Sequence, residues 1–320
     1  MKALRPVGMK KDFLAVSDFS AKEIKEVFKL TAEMKKGKIK SQPLKNKTVA
    51  CIFHKPSLRT RISFEVGIQQ LGGKSLYITK DEFKLGRKDD PEKREWFYDG
   101  VMVLSRMVDL IVIRTFEHSG VEELAKFSEI PVINALTDLY HPCQIMGDMF
   151  TIWEKKKKIE NISIAYLGDG NNVCNSWLDA ASLIPLDLRI GTSPETLPYK
   201  NVLEIAKKSK ISKITLTYDP IEAVQNADVV YTDVWASMGQ EDLYEIKTSL
   251  LRKFQVNSEL LRYAKKDCLV MHCLPAHRGE EITDEAMDGK NSVVFDQAEN
   301  RLHIQKGIIL KVMKYLKKKV

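Results

Sequence analysis

Short apolar runs alternate with helix-like patterns along almost the whole chain. Four of the runs lie in the first half of the chain, at residues 49–53, 76–78, 110–114 and 132–134. Five more follow a run of lysines, at residues 162–167, 188–190, 214–217, 229–232 and 269–272. Apolar runs separated by helical patterns are typical of parallel strands connected by βαβ crossovers. The sequence therefore predicts two parallel sheets.

The helical segments begin at residues with good capping chemistry. Ser20 and Glu23 have the spacing of a capping box, and Gly37 follows the helix that they would start. Further helices are predicted to begin near Thr60 and Val121.

Two helices are predicted to connect the two series of strands. One covers residues 144–153, between the series, and the last helix begins near Ala298 and could return to the first domain. The predicted fold class is α/β, with two doubly wound parallel-sheet domains of similar size and an interdomain cleft. Open α/β sheets bind ligands at the carboxyl ends of their strands, so the loops after those strands are where we expect the chemistry.

The composition is that of an ordinary globular protein, with 44% hydrophobic and 29% charged residues in 320. The first twenty residues interrupt every apolar stretch with Lys, Asp or Pro, so we expect no signal peptide. No later apolar run approaches the roughly 18 residues of a membrane span. The five cysteines are scattered and include no C-x-x-C pair, which argues against disulfides or structural zinc. We expect a cytoplasmic protein.

The net charge of +8 and the pI near 9.0 raise the question of nucleic-acid binding. The densest lysine runs, at residues 155–158 and 317–319, lie at predicted helix ends without interleaved aromatic residues. Such runs are typical of solvated helix termini. We therefore expect neither a nucleic-acid partner nor a membrane, and the positive background would attract a small anion.

Residues 53–61 connect a predicted buried strand to a predicted helix. Ser57 can cap that helix. The first N–H groups of the helix, the hydroxyls of Ser57 and Thr60 and the guanidinium of Arg59 could then surround a phosphate. An ordinary capped helix with two exposed arginines fits the same residues, so the local sequence leaves both interpretations open.

The segment KPSLRTRISFE at residues 55–65 resembles the carbamoyl-phosphate signature, S-T-R-T-R, of the aspartate and ornithine transcarbamylase family. Leu58 replaces the second-position threonine, which contributes mainly its backbone N–H. Three further segments are similar to the family's motifs and occur in the family's order: Arg114 at a strand end, His141-Pro142-Cys143-Gln144, and Glu299-Asn300-Arg301. The resemblance implies that carbamoyl phosphate is bound by Ser57, Leu58, Arg59, Thr60, Arg114, His141, Gln144 and Arg301.

Two strand ends in the second half resemble the family's amino-acid site. The turn at residues 168–172 lacks the G-x-G-x-x-G spacing of a dinucleotide site, and its resemblance to the family's asparagine turn implies that Asn172 contacts ornithine. Asp233 begins a D-x-x-x-S-M-G pattern that is similar to the ornithine-binding loop. Asp233 would accept from the α-ammonium, and Ser237 and Met238 would donate to the α-carboxylate.

His272-Cys273-Leu274-Pro275 closes the last predicted strand. A buried cysteine at a strand end is otherwise a structural residue. The resemblance implies that Cys273 and the carbonyl of Leu274 face the reacting amine and the carbamoyl group.

The resemblance implies transfer of the carbamoyl group of carbamoyl phosphate to the side-chain amine of L-ornithine, giving L-citrulline and phosphate. The expected catalytic residues are Arg59, Arg114, His141 and Cys273, with no metal and no other cofactor. The expected carbamoyl-phosphate domain covers residues 1–142 and is completed by a C-terminal helix at 298–320, and the ornithine domain covers residues 143–297. A homotrimer or an assembly of trimers is also implied.

Residues 81–98 depart from the family pattern. Lys84 stands where the family's Q-L-G-R-G-E motif has glutamine, and extra residues follow it. In the family this loop crosses to a neighbouring subunit's site, so Lys84 is expected to reach the phosphate there. Two alternatives stay open from the sequence: a carbamoyltransferase for another amine, and a non-catalytic ligand-binding or assembly relative.

Overall fold

The computed structural model describes residues 10–38, 41–83, 97–236 and 241–314. The chain divides into two compact units. One contains the residues up to Cys143 and those from Arg301 onwards, and the other contains Gln144–Asn300. Each unit contains one parallel sheet whose strands alternate with helices along the chain.

The sheet of the first unit has four parallel strands. In chain order the described residues of this unit form α1 (Ala21–Lys35), β1 (Thr48–Phe53), α2 (Leu58–Gln70), β2 (Lys74–Thr79), α3 (Phe97–Met107), β3 (Leu110–Arg114), α4 (His118–Phe127) and β4 (Val132–Leu136). The strand order is β2-β1-β3-β4. Every residue of β3 is buried, as expected of a central strand covered on both faces.

The sheet of the second unit has five parallel strands. Helix α5 (Pro142–Lys156) leads into it from the first unit. The elements that follow are β5 (Ile162–Leu167), α6 (Asn172–Ala181), β6 (Leu186–Gly191), α7 (Lys200–Ser209), β7 (Lys213–Thr217), α8 (Pro220–Val224), β8 (Val229–Thr232), α9 (Tyr244–Leu251), β9 (Leu269–His272) and α10 (Asp284–Met287). The last helix, α11 (Val294–Val312), begins in the second unit and belongs to the first unit from Arg301 onwards. The strand order is β7-β6-β5-β8-β9.

The strand order reverses once in each sheet. In the first sheet the reversal lies between β1 and β3, where Phe53 pairs with Arg114. In the second sheet it lies between β5 and β8, where Leu167 pairs with Thr232. Ligands of open α/β sheets bind beyond the carboxyl ends of the strands at such reversals. The residues that follow these four strands are therefore the candidates for binding and catalysis.

The helix caps follow the local sequence. The Ser20 hydroxyl accepts from the backbone N–H of Glu23, and the Glu23 carboxylate accepts from the N–H of Ser20 at 3.0 Å, which confirms the predicted capping box. Ser57 caps α2 in the same way by accepting from the N–H of Thr60. Helix α11 starts earlier than predicted, at Val294 rather than near Ala298.

The predicted fold class is confirmed for the two parallel-sheet α/β units. All nine predicted strands are present in the described residues, and five of them begin or end slightly beyond the predicted limits. Apolar runs identify buried strands well because both faces of such strands lie in a core. None of the helices in the described ranges has the length and apolarity needed to cross a membrane.

Candidate functional site

Three side chains of the first unit meet at the start of α2. The Ser57 hydroxyl donates to Oγ1 of Thr60 at 2.9 Å, and Nη2 of Arg301 donates to the same oxygen at 2.7 Å. Thr60 and Arg301 are buried. Because Oγ1 of Thr60 already accepts two hydrogen bonds, its own proton can be donated to a further acceptor. The structure therefore brings three of the predicted phosphate-binding residues together.

Two further predicted residues, Arg114 and His141, add to this group. Arg114 ends β3, His141 directly precedes α5, and both are buried. Burial, and then the positive charges of Arg301 and Arg114, hold the pKa of His141 well below its ordinary value. His141 is therefore a neutral imidazole at neutral pH. It can donate one N–H to a substrate oxygen without adding a third positive charge.

The two arginines of the first turn of α2 differ in their surroundings. Nε of Arg61 donates to Glu65 at 2.9 Å, and the Arg61 guanidinium lies 4.0 Å from the ring centroid of Tyr77. Arg59 is partly buried and has no ion-pair partner among the described residues. Leu58 is 72% exposed, so its side chain does not fill the start of the helix. Of the two arginines, Arg59 is the one available to an anion.

A buried lysine at the end of β1 had no role in the sequence analysis. Nζ of Lys55 forms an ion pair with Asp138 at 2.5 Å and lies 4.1 Å from the ring centroid of Phe116. Both partners come from loops that follow other strands of the same sheet. Lys55 therefore connects the loops that follow β1, β3 and β4. In the sequence, only its position beside the phosphate-binding signature could have indicated this role.

In the second unit, Asp233 follows β8 and accepts three hydrogen bonds. Its Oδ1 accepts from the N–H of Val234 at 2.8 Å and from Sγ of Cys273 at 2.7 Å, and its Oδ2 accepts from Nδ2 of Asn171 at 2.7 Å. Asp233 is buried. A carboxylate offers about four acceptor positions, so Oδ2 can accept once more, from an ammonium group. Two predicted site residues, Asp233 and Cys273, are in direct contact.

Asn171 was missed by the sequence analysis, which assigned a role to Asn172 alone. Oδ1 of Asn171 accepts from the N–H groups of Val173 and Cys174 and so caps α6, while its Nδ2 orients Asp233. Asn172 is the first residue of α6 and is partly buried. The missed signal is an asparagine directly before a helix that follows a strand, because such a residue caps the helix.

A second carboxylate lies near Asp233. Asp169 follows β5 and forms an ion pair with Lys247 of α9 at 2.7 Å. Burial raises the pKa of Asp169 to about 6, although Lys247 opposes the shift; the nearby charge of Asp233 raises it further. With two carboxylates and one ammonium group, this edge of the sheet has a net negative charge at neutral pH. Such a site is complementary to a cationic amino group.

The backbone after Cys273 is held by a buried histidine and glutamate. Nε2 of His272 hydrogen-bonds to Glu281 at 2.9 Å, and the N–H of Leu274 donates to Nδ1 of His272 at 2.9 Å. Because Nδ1 is an acceptor, the ring proton resides on Nε2. This arrangement fixes the backbone of Leu274, the residue whose carbonyl was predicted to face the substrates.

Gln144, which was also predicted to bind carbamoyl phosphate, is on the first turn of α5. It is buried and donates from Nε2 to Asp148 at 2.8 Å. Lys84, Ser237 and Met238 lie outside the described residues.

Comparisons with known protein families match a different binding domain to each half of the chain. The model of the aspartate/ornithine carbamoyltransferase carbamoyl-P binding domain matches residues 11–154, and that of the Asp/Orn binding domain matches residues 160–312. The chain belongs to the aspartate/ornithine carbamoyltransferase family. The predicted family resemblance is therefore confirmed.

Individual members of the family cover almost the whole chain. The ornithine carbamoyltransferase of Syntrophus aciditrophicus is 49% identical over 94% of this chain and 99% of its own length. The solved structure of the ornithine carbamoyltransferase from Pyrococcus furiosus has a TM-score of 0.88 and 45% identity, covering 95% of this chain and 97% of that one. The anabolic enzyme from Campylobacter jejuni has a TM-score of 0.88 and 37% identity, with coverages of 95% and 99%.

Within the described part of the chain, two groups of side chains could hold a metal ion by distance alone. They are Asp233, His272 and Cys273, and His277, Glu280 and Glu281; within each group the ligand atoms lie within 4.8 Å of one another. In the first group, Cys273 donates to Asp233, and both ring nitrogens of His272 are engaged in hydrogen bonds. A metal there would have to displace these contacts.

The turn that carries Asn171 depends on a glycine, and we expect Gly170→Ala to destabilise the protein. An added Cβ would lie 2.2 Å from the backbone nitrogen of Pro198, so the backbone must shift at a cost of about 1–3 kcal/mol. Thermal unfolding should show a lower midpoint for this variant. Gly67→Ala is the control. Gly67 lies within α2, and its added Cβ would lie 3.4 Å from the side chain of Lys306, an ordinary van der Waals distance. Because alanine favours a helix more than glycine does, we expect the free energy of unfolding to rise by up to about 1 kcal/mol. Equal midpoints for the two variants would contradict the assignment.

Proposed function

We propose that the protein transfers the carbamoyl group of carbamoyl phosphate to the side-chain amine of L-ornithine, giving L-citrulline and phosphate. The observation that carries the proposal is the surroundings of Asp233. A buried carboxylate, oriented by Asn171 and Cys273, lies at the strand-order reversal of a sheet in the family's Asp/Orn binding domain. The relatives described above are named ornithine carbamoyltransferases.

The first unit supplies the site for carbamoyl phosphate in this proposal. Arg59 and Thr60 donate to the phosphate, together with the backbone at the start of α2, including Leu58. The Ser57 hydroxyl donates to it after exchanging its hydrogen bond to Thr60 for one to the anion. The phosphate and the carbamoyl oxygen are also contacted by Arg114, His141 and Arg301. The hydrogen bonds that join Ser57, Thr60 and Arg301 support this assignment, because they hold donors in place before an anion arrives.

The second unit supplies the site for ornithine. Asp233 accepts from the α-ammonium group, and Asn172, Ser237 and Met238 contact the amino-acid end of the substrate. Cys273 and the carbonyl of Leu274 orient the reacting amine. The net negative charge around Asp169 and Asp233 supports this assignment, because ornithine brings a cationic amino group.

The reaction is a direct attack of the neutral δ-amine on the carbamoyl carbon. A C–N bond forms, the tetrahedral intermediate collapses, and the C–O bond to phosphate breaks. The leaving phosphate carries away the electron pair of that bond and takes the proton lost by the amine. Arg59, Arg114, Thr60 and neutral His141 stabilise the oxygens on which negative charge develops, and such donors are worth about 10²–10³ in rate each.

The remaining sequence expectations form part of the same proposal. We assign residues 1–142, with the C-terminal helix, to carbamoyl phosphate and residues 143–297 to ornithine. We also propose a cytoplasmic homotrimer in which Lys84 reaches a neighbour's phosphate. All five cysteines are free thiols, which fits a reducing compartment. Native mass spectrometry of the purified protein should give three times the chain mass, or a multiple of that mass for an assembly of trimers, and a monomer would contradict the trimer.

The test of the function is an assay of the purified protein with carbamoyl phosphate and a panel of amines. With ornithine we expect citrulline to form, which a colorimetric assay detects. With aspartate, putrescine or N-acetylornithine we expect little carbamoylation. Preference for another amine would establish a different carbamoyltransferase. Binding of carbamoyl phosphate without any product would indicate a non-catalytic relative.

At subsaturating ornithine, we expect activity to rise with pH from 6.5 to 8.5. An aliphatic amine with a pKa near 10.4 is only about a thousandth neutral at pH 7.4, so the attacking species increases with pH. The pKa of His141 is held well below its ordinary value, so His141 is neutral throughout this range and adds no titration. Initial rates under conditions where chemistry is rate-limiting provide the measurement. A flat profile would argue against attack by the free amine.

A further inference from the structure

A buried ion pair lies at the carboxyl edge of the second unit's sheet, beside the residue that we assign to ornithine. Nζ of Lys247, on α9, lies 2.7 Å from Oδ2 of Asp169, and the two side chains are 12% and 7% exposed. Asp169 follows β5 and Asp233 follows β8, and these two strands are paired as far as Leu167 and Thr232. The ion pair and Asp233 therefore lie beyond neighbouring strand ends.

The charges at this edge influence how strongly a cation binds there. The carboxylates of Asp169 and Asp233 and the ammonium of Lys247 together carry one negative charge when all three are ionised. Ornithine carries one net positive charge at neutral pH. Two unit charges roughly 10 Å apart, at an effective dielectric constant of about 20, change a binding constant about tenfold. Gain or loss of a single charge at this edge is therefore large enough to change the affinity for ornithine.

Asp169 can change its charge close to neutral pH. Burial raises its pKa to about 6; the ammonium of Lys247 opposes this shift, and the charge of Asp233 adds to it. Because a carboxyl group is ionised above its pKa, Asp169 is ionised at neutral pH and becomes protonated as the pH falls through about 6. Its protonation leaves the ammonium of Lys247 without a negative counterpart at this position.

Other titratable groups come close to Asp169 from the neighbouring elements. The hydroxyl of Tyr166, on β5, donates to the backbone carbonyl of Asp169 at 3.0 Å, and Cys174 lies on α6. Burial holds the pKa values of Tyr166 and Cys174 well above their ordinary values, so both groups stay neutral in the acidic and neutral range. Cys273, beyond β9, donates its thiol proton to Asp233. Neither Tyr166 nor Cys174 adds a change of charge near pH 6.

We propose that Asp169 is a charge switch for the ornithine site: while ionised it neutralises Lys247, and once protonated it leaves the Lys247 ammonium to repel the cationic substrate. The inference rests on the proposed function, which places ornithine at Asp233. Protonation of Asp169 removes the net negative charge of this edge of the sheet. The affinity for ornithine therefore decreases as the pH falls through about 6.

The test compares ornithine binding by the wild-type protein and by two variants, measured by calorimetry at pH 5.0 and pH 7.5. Phosphonoacetamide, a stable analogue of carbamoyl phosphate, is present at saturation throughout. In Asp169→Asn the charge of Lys247 is never neutralised, so at pH 7.5 this variant should bind ornithine about tenfold more weakly than the wild type. At pH 5.0 the two should bind it equally. Ornithine ionises identically in every sample, so its own titration cancels in these ratios.

The double variant Asp169→Asn/Lys247→Met removes the repelling charge as well. It keeps the negative charge of Asp233 at both pH values, so it should match the wild type at pH 7.5 and bind ornithine about tenfold more tightly than the wild type at pH 5.0. Removing both partners of a buried ion pair is tolerated better than removing one. The double variant therefore still tests the proposal if Asp169→Asn does not fold.

Asp228→Asn is the matched control. Asp228 pairs with Lys265 at the same distance of 2.7 Å, but it directly precedes β8 and so lies at the amino end of that strand. Its replacement should leave ornithine binding at the wild-type level at both pH values. If the double variant bound ornithine as weakly as Asp169→Asn does, the ion pair would have a structural role alone, and the proposal would be overturned. Ratios that do not change with pH would overturn it too.

The outcome is separable from that of the proposed function. The expected pattern of ornithine binding in a protein that forms no citrulline would contradict only the function. Formation of citrulline, with ratios that do not change between pH 5.0 and pH 7.5, would contradict only the charge switch. A wild-type protein that binds no ornithine at either pH would contradict both.

Discussion

Replacing Arg59 with alanine should lower kcat/KM for carbamoyl phosphate by at least about a hundredfold, because a donor to the reacting phosphate is worth about 10²–10³ in rate. Arg59 lies two residues after Ser57, in the first turn of α2, and among the described residues no carboxylate pairs with it. Its guanidinium can therefore bind phosphate in a bidentate manner. Steady-state rates at saturating ornithine give the measurement.

Arg61→Ala is the matched control for Arg59→Ala. Both residues are arginines of the first turn of α2, but Arg61 is engaged with Glu65 and with the ring of Tyr77. Its loss should leave kcat/KM nearly unchanged and should cost at most about 1 kcal/mol of stability. Equal losses of activity in the two variants would contradict the assignment of the anion site.

Asp233→Asn should raise the KM for ornithine by about 10- to 150-fold, the equivalent of losing a charged hydrogen bond worth about 1.5–3 kcal/mol. Asp233 is the acceptor that we assign to the α-ammonium of ornithine, and its orientation by Asn171 and Cys273 leaves Oδ2 able to accept once more. Binding of carbamoyl phosphate, measured by calorimetry, should not change, because Asp233 is assigned to ornithine alone.

Asp187→Asn controls for the loss of a carboxylate from the same sheet. Asp187 lies near the start of β6, where it pairs with Arg189, and it follows no strand at the carboxyl edge. We expect a small change in stability and unchanged kinetic constants for ornithine. If Asp233→Asn weakened the binding of carbamoyl phosphate more than the binding of ornithine, the two substrates would have been assigned to the wrong residues.

Much of the fold and part of the site could be predicted because they depend on local patterns. The apolar runs predicted all nine strands, since a strand buried on both faces must be apolar throughout. Ser57 was predicted to cap α2 from its position between a strand and a helix, and the structure confirms it. The family was predicted from motifs at strand ends, and the family comparisons confirm it.

Other parts of the site depend on contacts between residues that are distant in sequence. Arg301 reaches Thr60, and Asp148 accepts from Tyr231 and Gln297. No local pattern indicates these pairs, because each forms only when separate strands and helices pack together. The two asparagines at residues 171 and 172 illustrate the limit, since their neighbouring positions on the chain did not show which one would contact Asp233.

The sequence by itself determined the nine strands, the α/β class and the residue types available for carbamoyl transfer. Only the tertiary structure decided the strand orders β2-β1-β3-β4 and β7-β6-β5-β8-β9, and with them the edge at which the functional loops of each unit meet. It also decided that His141 is neutral and that Asp169 has a raised pKa. Protonation depends on burial and on charges brought close by folding, and neither is encoded in the neighbouring residues along the chain.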